Sequence, residues 1–453
     1  MMETNARKSD VVVAVDIGTT KVCAIAGRKN QHGKLEILGV GKVNSEGVLR
    51  GVVSNIEKTV NAISEAVIAA RRGVNADFDW AHVGIAGQHI KSLQHRGILM
   101  RDNNIVEISQ IDIDRLIGDM YKLVLPPGDK IIHVIPQEYA VDNEQGIVDP
   151  IGMSGVRLEA NFHIITGQIT ASNNLFRCVE RAGLRVANMT LEPIASAMSV
   201  LNEEEKEAGV ALVDIGGGTT DITIFQDGII RHTAVIPFGG NVITKDIKEG
   251  CTVMTQQAEK LKVKFGSALA EEVFDNRIIT IPGLRGREHK EISEKNLARI
   301  IQARVEEVLD YVVWEIRRSG FERKLIAGIV LTGGGALLSH IEKLSEYHTG
   351  LPTRIGIPIE PLAHGYAEHL SSPIYATAIG LLMKGIEDRE KGRFNVPVEL
   401  PEEVAVPKEN LSTPKVVSLD DEEDSRTAPG GRWIDSLFKK TKEWFEAEPD
   451  ADL

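Results

Sequence analysis

The sequence predicts an α/β fold built from a duplicated unit, and three glycine turns in a set order carry that expectation. The first is Val12-Val13-Ala14-Val15-Asp16-Ile17-Gly18-Thr19-Thr20-Lys21; the second, about 200 residues on, is Ala211-Leu212-Val213-Asp214-Ile215-Gly216-Gly217-Gly218-Thr219-Thr220-Asp221. The third is Gly328-Ile329-Val330-Leu331-Thr332-Gly333-Gly334-Gly335-Ala336. Each of the first two reads as a β-branched strand ending in Asp, a turn of Gly and Thr, and a second strand (Val22 to Ala26; Ile222 to Phe225). That is a hairpin rather than a strand-to-helix phosphate loop. One such turn alone is as readily a plain tight hairpin; three in this order point to chemistry.

In such a hairpin, glycine lets the backbone bend so that successive N–H groups point at a phosphate. Gly18, Thr19, Thr20 and Lys21 would act from one side, and Gly216, Gly217, Gly218, Thr219 and Thr220 from the other. Asp16 and Asp214, at the strand ends, are the candidate holders of hydrated Mg²⁺. Two facing hairpins would clamp one triphosphate. The third turn, Gly333, Gly334, Gly335 and Ala336, suits close approach of backbone to a base or ribose.

With 453 residues and 42% hydrophobic composition, the chain can build two or more cores. A net charge of −13, without clustered Lys and Arg in the body, argues against nucleic acid as a partner. Cys23, Cys178 and Cys251 show neither metal-ligand nor disulfide spacing, and the amino terminus carries no charged-then-apolar leader, so a cytosolic location is expected. No window approaches 18 uninterrupted apolar residues. Lying on a membrane, rather than crossing it, stays open.

Along the chain, a strand-rich opening gives way to a helix over Asn55 to Arg72, with Ile56, Val60, Ile63, Val67 and Ala70 on one face and Ser54 as N-cap. Another strand starts at Trp80. From there to Thr166 the pattern is short strands and turns with a helix near Asp112 to Leu123, which reads as an inserted subdomain. A helix through Ser172 to Ala182, a strand near Val186 and a helix from Pro193 to Leu201 follow, the last ending in the solvated run Glu203 to Glu207. After the second hairpin, Glu259 and Lys262 share one helical face; they are either nucleotide partners or an ordinary surface ion pair. A long helix over Glu294 to Ser319 places Leu297, Ile301, Val305, Leu309 and Val312 in a core stripe.

Composition changes at about Arg389. The next forty residues hold five of the 17 prolines and the run Asp420-Asp421-Glu422-Glu423-Asp424, which describes a linker able to reach on the order of 35 Å. The tail turns amphipathic: Trp433, Ile434, Leu437, Phe438, Trp444 and Phe445 form one wide helical stripe beside Arg432, Lys439, Lys440 and Lys442. Aromatic residues flanked by cations suit a membrane surface, with docking on a protein groove as the other possibility.

The ordered turns at Asp16, Asp214 and Gly333 resemble those of the actin-like ATPases. Within that group the insert segments Val83-Gly84-Ile85-Ala86-Gly87-Gln88-His89-Ile90, His133-Val134-Ile135-Pro136-Gln137-Glu138-Tyr139 and Gly152-Met153-Ser154-Gly155-Val156-Arg157-Leu158-Glu159 resemble those of the FtsA family of bacterial cell-division proteins. The likeness covers roughly Val11 to Glu387 and the tethered terminal helix. It implies an actin-like (ribonuclease H-like) α/β fold of duplicated domains around a nucleotide cleft, with an inserted 1C subdomain and a C-terminal amphipathic helix. The implied boundaries are 1–87, 167–205 and part of 321–388 for subdomain 1A, 88–166 for 1C, 206–238 and the rest of 321–388 for 2A, and 239–320 for 2B. Residues 389–430 would be linker and 431–448 the membrane-targeting helix.

The resemblance further implies ATP with Mg²⁺ at these turns together with Glu259 and Lys262. Asp214 and Glu192 are the candidate catalytic residues, Glu192 falling where the family orients the attacking water; a helix-terminal carboxylate reading of Glu192 is equally open. Turnover would be slow at most. Implied partners are the FtsZ carboxy-terminal tail, other copies of the chain in a filament, inner-membrane lipid and later division proteins, at the cytoplasmic face of the septum. Asn296, Arg299 and Arg304 are the candidates for the FtsZ tail, Arg304 foremost, against a plain solvated-arginine reading. A sugar-kinase-like phosphotransferase is the alternative, since it shares the DIGTT opening but leaves the terminal helix unexplained.

Overall fold

The structure, a computed structural model, describes residues 11–392 apart from residues 75–77, 103–105, 275–276, 284–287, 364 and 366. The expected linker and the terminal stripe from Trp433 to Phe445 lie outside the described residues.

The first half opens with the hairpin β1 (Val12–Ile17) and β2 (Lys21–Lys29), extended by β3 (Leu35–Asn44). A small ribbon, β4 (Val48–Leu49) and β5 (Val52–Val53), leads to α1 (Ile56–Arg71) and then β6 (Trp80–Ile85). The insert contains β7 (Lys91–Met100), α2 (Gln110–Met120), β8 (Asp129–Val141), β9 (Glu144–Ile147) and β10 (Arg157–Gln168). The half closes with α3 (Ile169–Arg181), β11 (Arg185–Leu191), α4 (Glu192–Val200) and α5 (Glu203–Ala208).

The second half repeats the plan with β12 (Val210–Ile215), β13 (Thr220–Gln226) and β14 (Ile229–Ile236). There follow α6 (Gly240–Gly250), α7 (Thr255–Phe265), the ribbon β15 (Ile278–Ile281) and β16 (Lys290–Ser293), and α8 (Glu294–Ser319). Next come β17 (Gly328–Thr332), α9 (Ile341–Thr349), β18 (Thr353–Ile355), α10 (Ala367–Leu370) and α11 (Ala376–Glu390).

The duplication is visible in the sheets. One runs β11-β6-β1-β2-β3 and the other β18-β17-β12-β13-β14. In each, three antiparallel strands are followed by two parallel strands on the far side of the first. Strands β1 and β12 are central and buried on both faces, which is why they read as unbroken β-branched runs. Alternation still sorts them: Val13 and Val15 face α1 and α3, while Val12 and Ala14 face α11. In the second half Ala211, Val213 and Ile215 face the α8 core, and Val210 and Leu212 face the α4 side. Helix α8 matches its expected span, begun by the Ser293 side chain accepting from Asn296 N–H and stopped by left-handed Gly320 (φ 77°).

Three local expectations are corrected. The α1 N-cap is Asn55, whose side chain accepts from the Lys58 N–H, while the Ser54 hydroxyl donates to the Gly47 carbonyl. The acidic run Glu203 to Glu207 is its own helix, because Asn202 and Glu205 form a capping box and Glu205 pairs with Arg354. The insert is made of long strands of 10, 13 and 12 residues beside the short β9. Pro136 sits inside β8 next to a bulge, where Asn161 pairs with Glu138 and Phe162 with Pro136, leaving Gln137 as the extra residue.

Helices α4 and α11 cross so closely that a Cβ on Gly380 would stand 1.7 Å from the Ala195 carbonyl oxygen. Gly380→Ala is therefore expected to cost about 3 kcal/mol through forced separation of the two helices. The check is the thermal unfolding midpoint; no decrease would overturn this account of the crossing.

Candidate functional site

The two Asp–Gly turns are the same object built twice. Gly18 N–H donates to the Lys21 carbonyl at 2.9 Å, and Gly216 N–H donates to the Thr219 carbonyl at 2.9 Å. Across each hairpin Asp16 pairs with Cys23, and Asp214 with Asp221. The turns meet tip to tip: a Cβ on Gly217 would lie 2.3 Å from Thr20 Cγ2, and one on Gly218 would lie 2.6 Å from Thr19 Oγ1. Only glycine fits that approach.

The third turn lies across the end of β12. Gly333 adopts φ +83°, and a Cβ there would stand 2.2 Å from Asp214 Oδ1; a Cβ on Gly335 would meet Ile215 Cγ2 at 2.3 Å. Gly334 has open space before it. Together the turns border a cavity of about 230 Å³ lined by Thr20, Gly216, Gly217, Gly240, Asn241, Glu259, Lys262, Gly334, Gly335 and Leu338 among others. Ala336 supports the turn from the buried core. A larger, open depression of about 800 Å³ lies elsewhere, around Arg28, Lys29, Asn30 and Glu390. It is lined by none of the three glycine turns, and its cations are engaged, Arg28 with Glu36, Lys29 with Glu390 and Arg389 with the Val11 carbonyl.

Four carboxylates converge beneath the turns. Asp16 is ion-paired with Lys21. Burial by itself would lower the Lys21 pKa, but the negative groups around it, Asp16 first, hold it well above the usual lysine range. Burial pushes Glu192 well up, and repulsion from Asp16, Asp221 and Asp214 adds to it against the pull of Lys21. Asp214 is also raised by burial, opposed by hydrogen bonds from Ser196 Oγ at 2.8 Å and Thr377 Oγ1 at 3.3 Å. Asp221 is pushed up to about 8 by burial and the neighbouring Asp214, and its Oδ1 has no hydrogen-bond partner among the described residues. Three buried acids and the partly buried Glu192 share Lys21, so their charged forms lack compensating positive charge.

That deficit suits a nucleotide with a divalent cation. Among the described residues no three His, Cys, Asp or Glu side chains are arranged to grip an ion directly. Hard oxygens set back from the turns fit Mg²⁺ that keeps its waters and leans on phosphate oxygens. Cys23 is fully buried and burial pushes its thiol up to about 12, which makes it a packing residue rather than a nucleophile.

Glu192 is the first residue of α4, and Gly84 of β6 gives it room: a Cβ on Gly84 would stand 2.8 Å from Glu192 Cγ and 3.0 Å from its Oε1. The carboxylate thus heads a helix and lies among the cleft acids at once. Glu259 and Lys262 are brought to the cavity as a pair at 2.8 Å, with Lys262 Nζ also donating to the Gly240 carbonyl at 2.9 Å and Thr244 Oγ1 at 2.8 Å. The ion pair and the cavity position are both present.

Other expected residues are placed differently. Thr220 is buried with its hydroxyl donated to the Phe238 carbonyl at 2.8 Å, so it braces the turn instead of facing outward. Thr219 donates to Asp221 Oδ2 at 3.2 Å. Asn296 and Arg299 are exposed on α8, whereas both faces of the Arg304 guanidinium are engaged by Asp246 and Glu307. Sequence reasoning left out Asp221, Ser196, Thr377, Gly240 and Asn241. Asp221 carried a signal, since it closes the second glycine motif opposite Asp214; Thr377, 163 residues from Asp214, carried none.

Comparison with known proteins identifies the family and the fold. Residues 211–380 match the family described as cell division protein FtsA, and residues 87–166 match the SHS2 domain inserted in FtsA. The cell division protein FtsA of Pseudomonas aeruginosa is 42% identical over 389 residues, covering 86% of this chain and 92% of that one. Among solved structures, the PilM–PilN type IV pilus biogenesis complex superposes with a TM-score of 0.58 at 15% identity, over 83% of this chain and 98% of that one. MreB5 of Spiroplasma citri bound to ADP gives 0.50 at 16% identity, over 84% and 99%. The fold is thus actin-like, and the chain belongs to the FtsA family of cell-division proteins.

Proposed function

We propose that this chain is an ATP-binding, at most slowly hydrolysing adaptor that assembles on the cytoplasmic membrane at the septum and anchors FtsZ there. The observation that carries the nucleotide part is that three glycine turns border one cavity, while four mutually interacting carboxylates, Asp16, Glu192, Asp214 and Asp221, stand on or beside the strands that carry the first two turns. The structural neighbour MreB5 is itself bound to ADP, which supports the same occupant here. In this reading the N–H groups of both turns cradle the phosphates, Lys21 compensates their charge, and Asp16 and Asp214 hold the waters of Mg²⁺. The chemistry supplied by bound Mg²⁺ is charge neutralisation on the phosphates. Glu192 orients the attacking water from the head of α4; alignment rather than proton abstraction is its contribution.

The adaptor part rests on family membership and on surfaces. Large apolar side chains of the insert, Met100, Ile111, Val124 and Val148 among them, are exposed, which supports contact with other copies or with later division proteins. No helix among the described residues is long and apolar enough to cross a membrane. Attachment is assigned to the amphipathic stripe of Trp433, Ile434, Leu437, Phe438, Trp444 and Phe445, whose aromatic residues beside cations suit a membrane surface. For the FtsZ tail, the exposed Asn296 and Arg299 are the available contacts on α8, with Arg304 holding that helix to Asp246 of α6.

The deciding experiment is vesicle co-sedimentation of the full chain and of a truncation ending at Pro429, each with and without Mg-ATP. Only the full chain is expected to pellet, and Trp433→Glu with Phe438→Glu should release it by about tenfold or more in partitioning. Pelleting of the truncation would reassign the anchor. Asp214→Ala should weaken Mg-nucleotide binding by about tenfold, roughly 1.4 kcal/mol; calorimetry giving the wild-type affinity would remove Asp214 from the site. Arg299→Glu should weaken an FtsZ tail peptide by about fivefold in anisotropy titrations, as loss of one charge-assisted contact requires. An unchanged titration would place the peptide elsewhere.

A further inference from the structure

The segment His133-Val134-Ile135-Pro136-Gln137-Glu138-Tyr139 is not used by the nucleotide site, yet it touches both halves of the cleft. It forms the middle of β8, which pairs with β10 on one side; on the other, β9 covers it only at Tyr139 and Val141. Side chains of this sheet reach β11, the edge strand of the first sheet, and β14, the edge strand of the second, with β8 contacting both.

At the first contact, the Leu191 N–H donates to His133 Nε2 at 3.0 Å. Leu191 pairs with Ile85 on its inner side and is the residue immediately before Glu192. Burial, with Lys384 adding to it, pushes the His133 imidazole down to about 4 against the pull of Asp388, so its ring is neutral near pH 7 and has a lone pair to offer. At the second contact, Gln137 Nε2 donates to the Ile230 carbonyl of β14 at 2.6 Å, and Glu138 pairs with Arg231. Gln137 is the bulged residue of β8, and a bulge is the device that re-aims a side chain off a regular strand. Ser92 and His163 of the insert add hydrogen bonds to Thr233 of β14.

We propose that the insert is a positioning element for the cleft: His133 holds the backbone directly ahead of Glu192, while Gln137 and Glu138, on the same strand, hold the second half. His133 is a positioning residue and touches no reacting atom. The two contacts are four and five residues apart on one stiff strand, so a change in the distance between β11 and β14 must break one of them or turn the insert. A partner that pulls on the exposed side of the insert therefore shifts the Glu192 carboxylate, and the nucleotide-bound cleft in turn sets the insert's orientation. The effect on turnover rests on the reading of Glu192 as the water-orienting group; the backbone contact does not.

The test uses the full chain with His133→Leu, His133→Phe and His133→Gln. Leu and Phe fill the space without an acceptor, and the Gln carbonyl stands near the position of Nε2. Three quantities are read: Mg-ADP affinity, hydrogen exchange of the peptide spanning Val186 to Ile194, and single-turnover ATP hydrolysis with Glu192→Gln as the reference. His133→Leu should leave the affinity within about twofold, raise exchange at the Leu191 amide about tenfold, and slow hydrolysis about tenfold. His133→Gln should restore both. If Leu does not fold, Phe takes its place. Wild-type exchange and turnover in the acceptor-less variant, or a Gln variant as impaired as Leu, would overturn the proposal. Should wild-type hydrolysis equal that of Glu192→Gln, the water-orienting reading falls, and exchange alone decides the positioning role.

Discussion

The rest of the molecule depends on how closely two turns can approach. Positions 18 to 21 of the first turn correspond to 216 to 219 of the second, since the same hydrogen bond closes both. Where the first carries Thr19 and Thr20, the second carries Gly217 and Gly218, and the bare positions lie directly against the threonines. Two turns with side chains would hold the halves apart, and two bare turns would leave a phosphate without hydroxyl donors. The two copies can meet tip to tip because they differ at these positions.

Charge has diverged in the same register. Asp16 and Asp214 correspond, but Lys21 stands opposite Thr219 and Cys23 opposite Asp221. One copy contributes Lys21 beside Asp16, and the other contributes an extra buried acid pushed up to about 8. Buried like charges are unfavourable in a protein considered alone. The arrangement becomes sensible when the ligand is itself a multiply charged complex whose cation and anion complete the set, and strain of that kind gathers where function lies.

Contacts far from the hinge hold this cluster in place. Asp214 belongs to the second half, yet its hydroxyl partners Ser196 and Thr377 come from α4 and α11, helices that pack on the first sheet and on each other. Glu192 and Ser196 are one helical turn apart, so α4 delivers both the water-orienting candidate and the support for Asp214. The insert grips the backbone just ahead of the same helix. Helix α4 carries two of the groups around Asp214 and packs on α11, while β8 is bonded to the last residue of β11 just ahead of it.

Much of this was legible in the residues. The two buried central strands, the glycine turns, the long core helix from Glu294 to Ser319 and the presence of an insert all follow from local pattern: β-branched runs, turn chemistry, and apolar spacing of a helix. The turns that the structure brings together were legible for the same reason, because a turn's chemistry is written in consecutive positions. What only the tertiary structure decided is everything that depends on separation in the chain. Pro136 flanks a bulge that aims Gln137 across to β14; Arg304 is held by Asp246, 58 residues away. Thr377 reaches Asp214 only because α11 returns to the first half. Local sequence sets which backbone shapes are available, whereas burial, the pairing of charges and the raised acids arise when distant strands share one low-dielectric cleft.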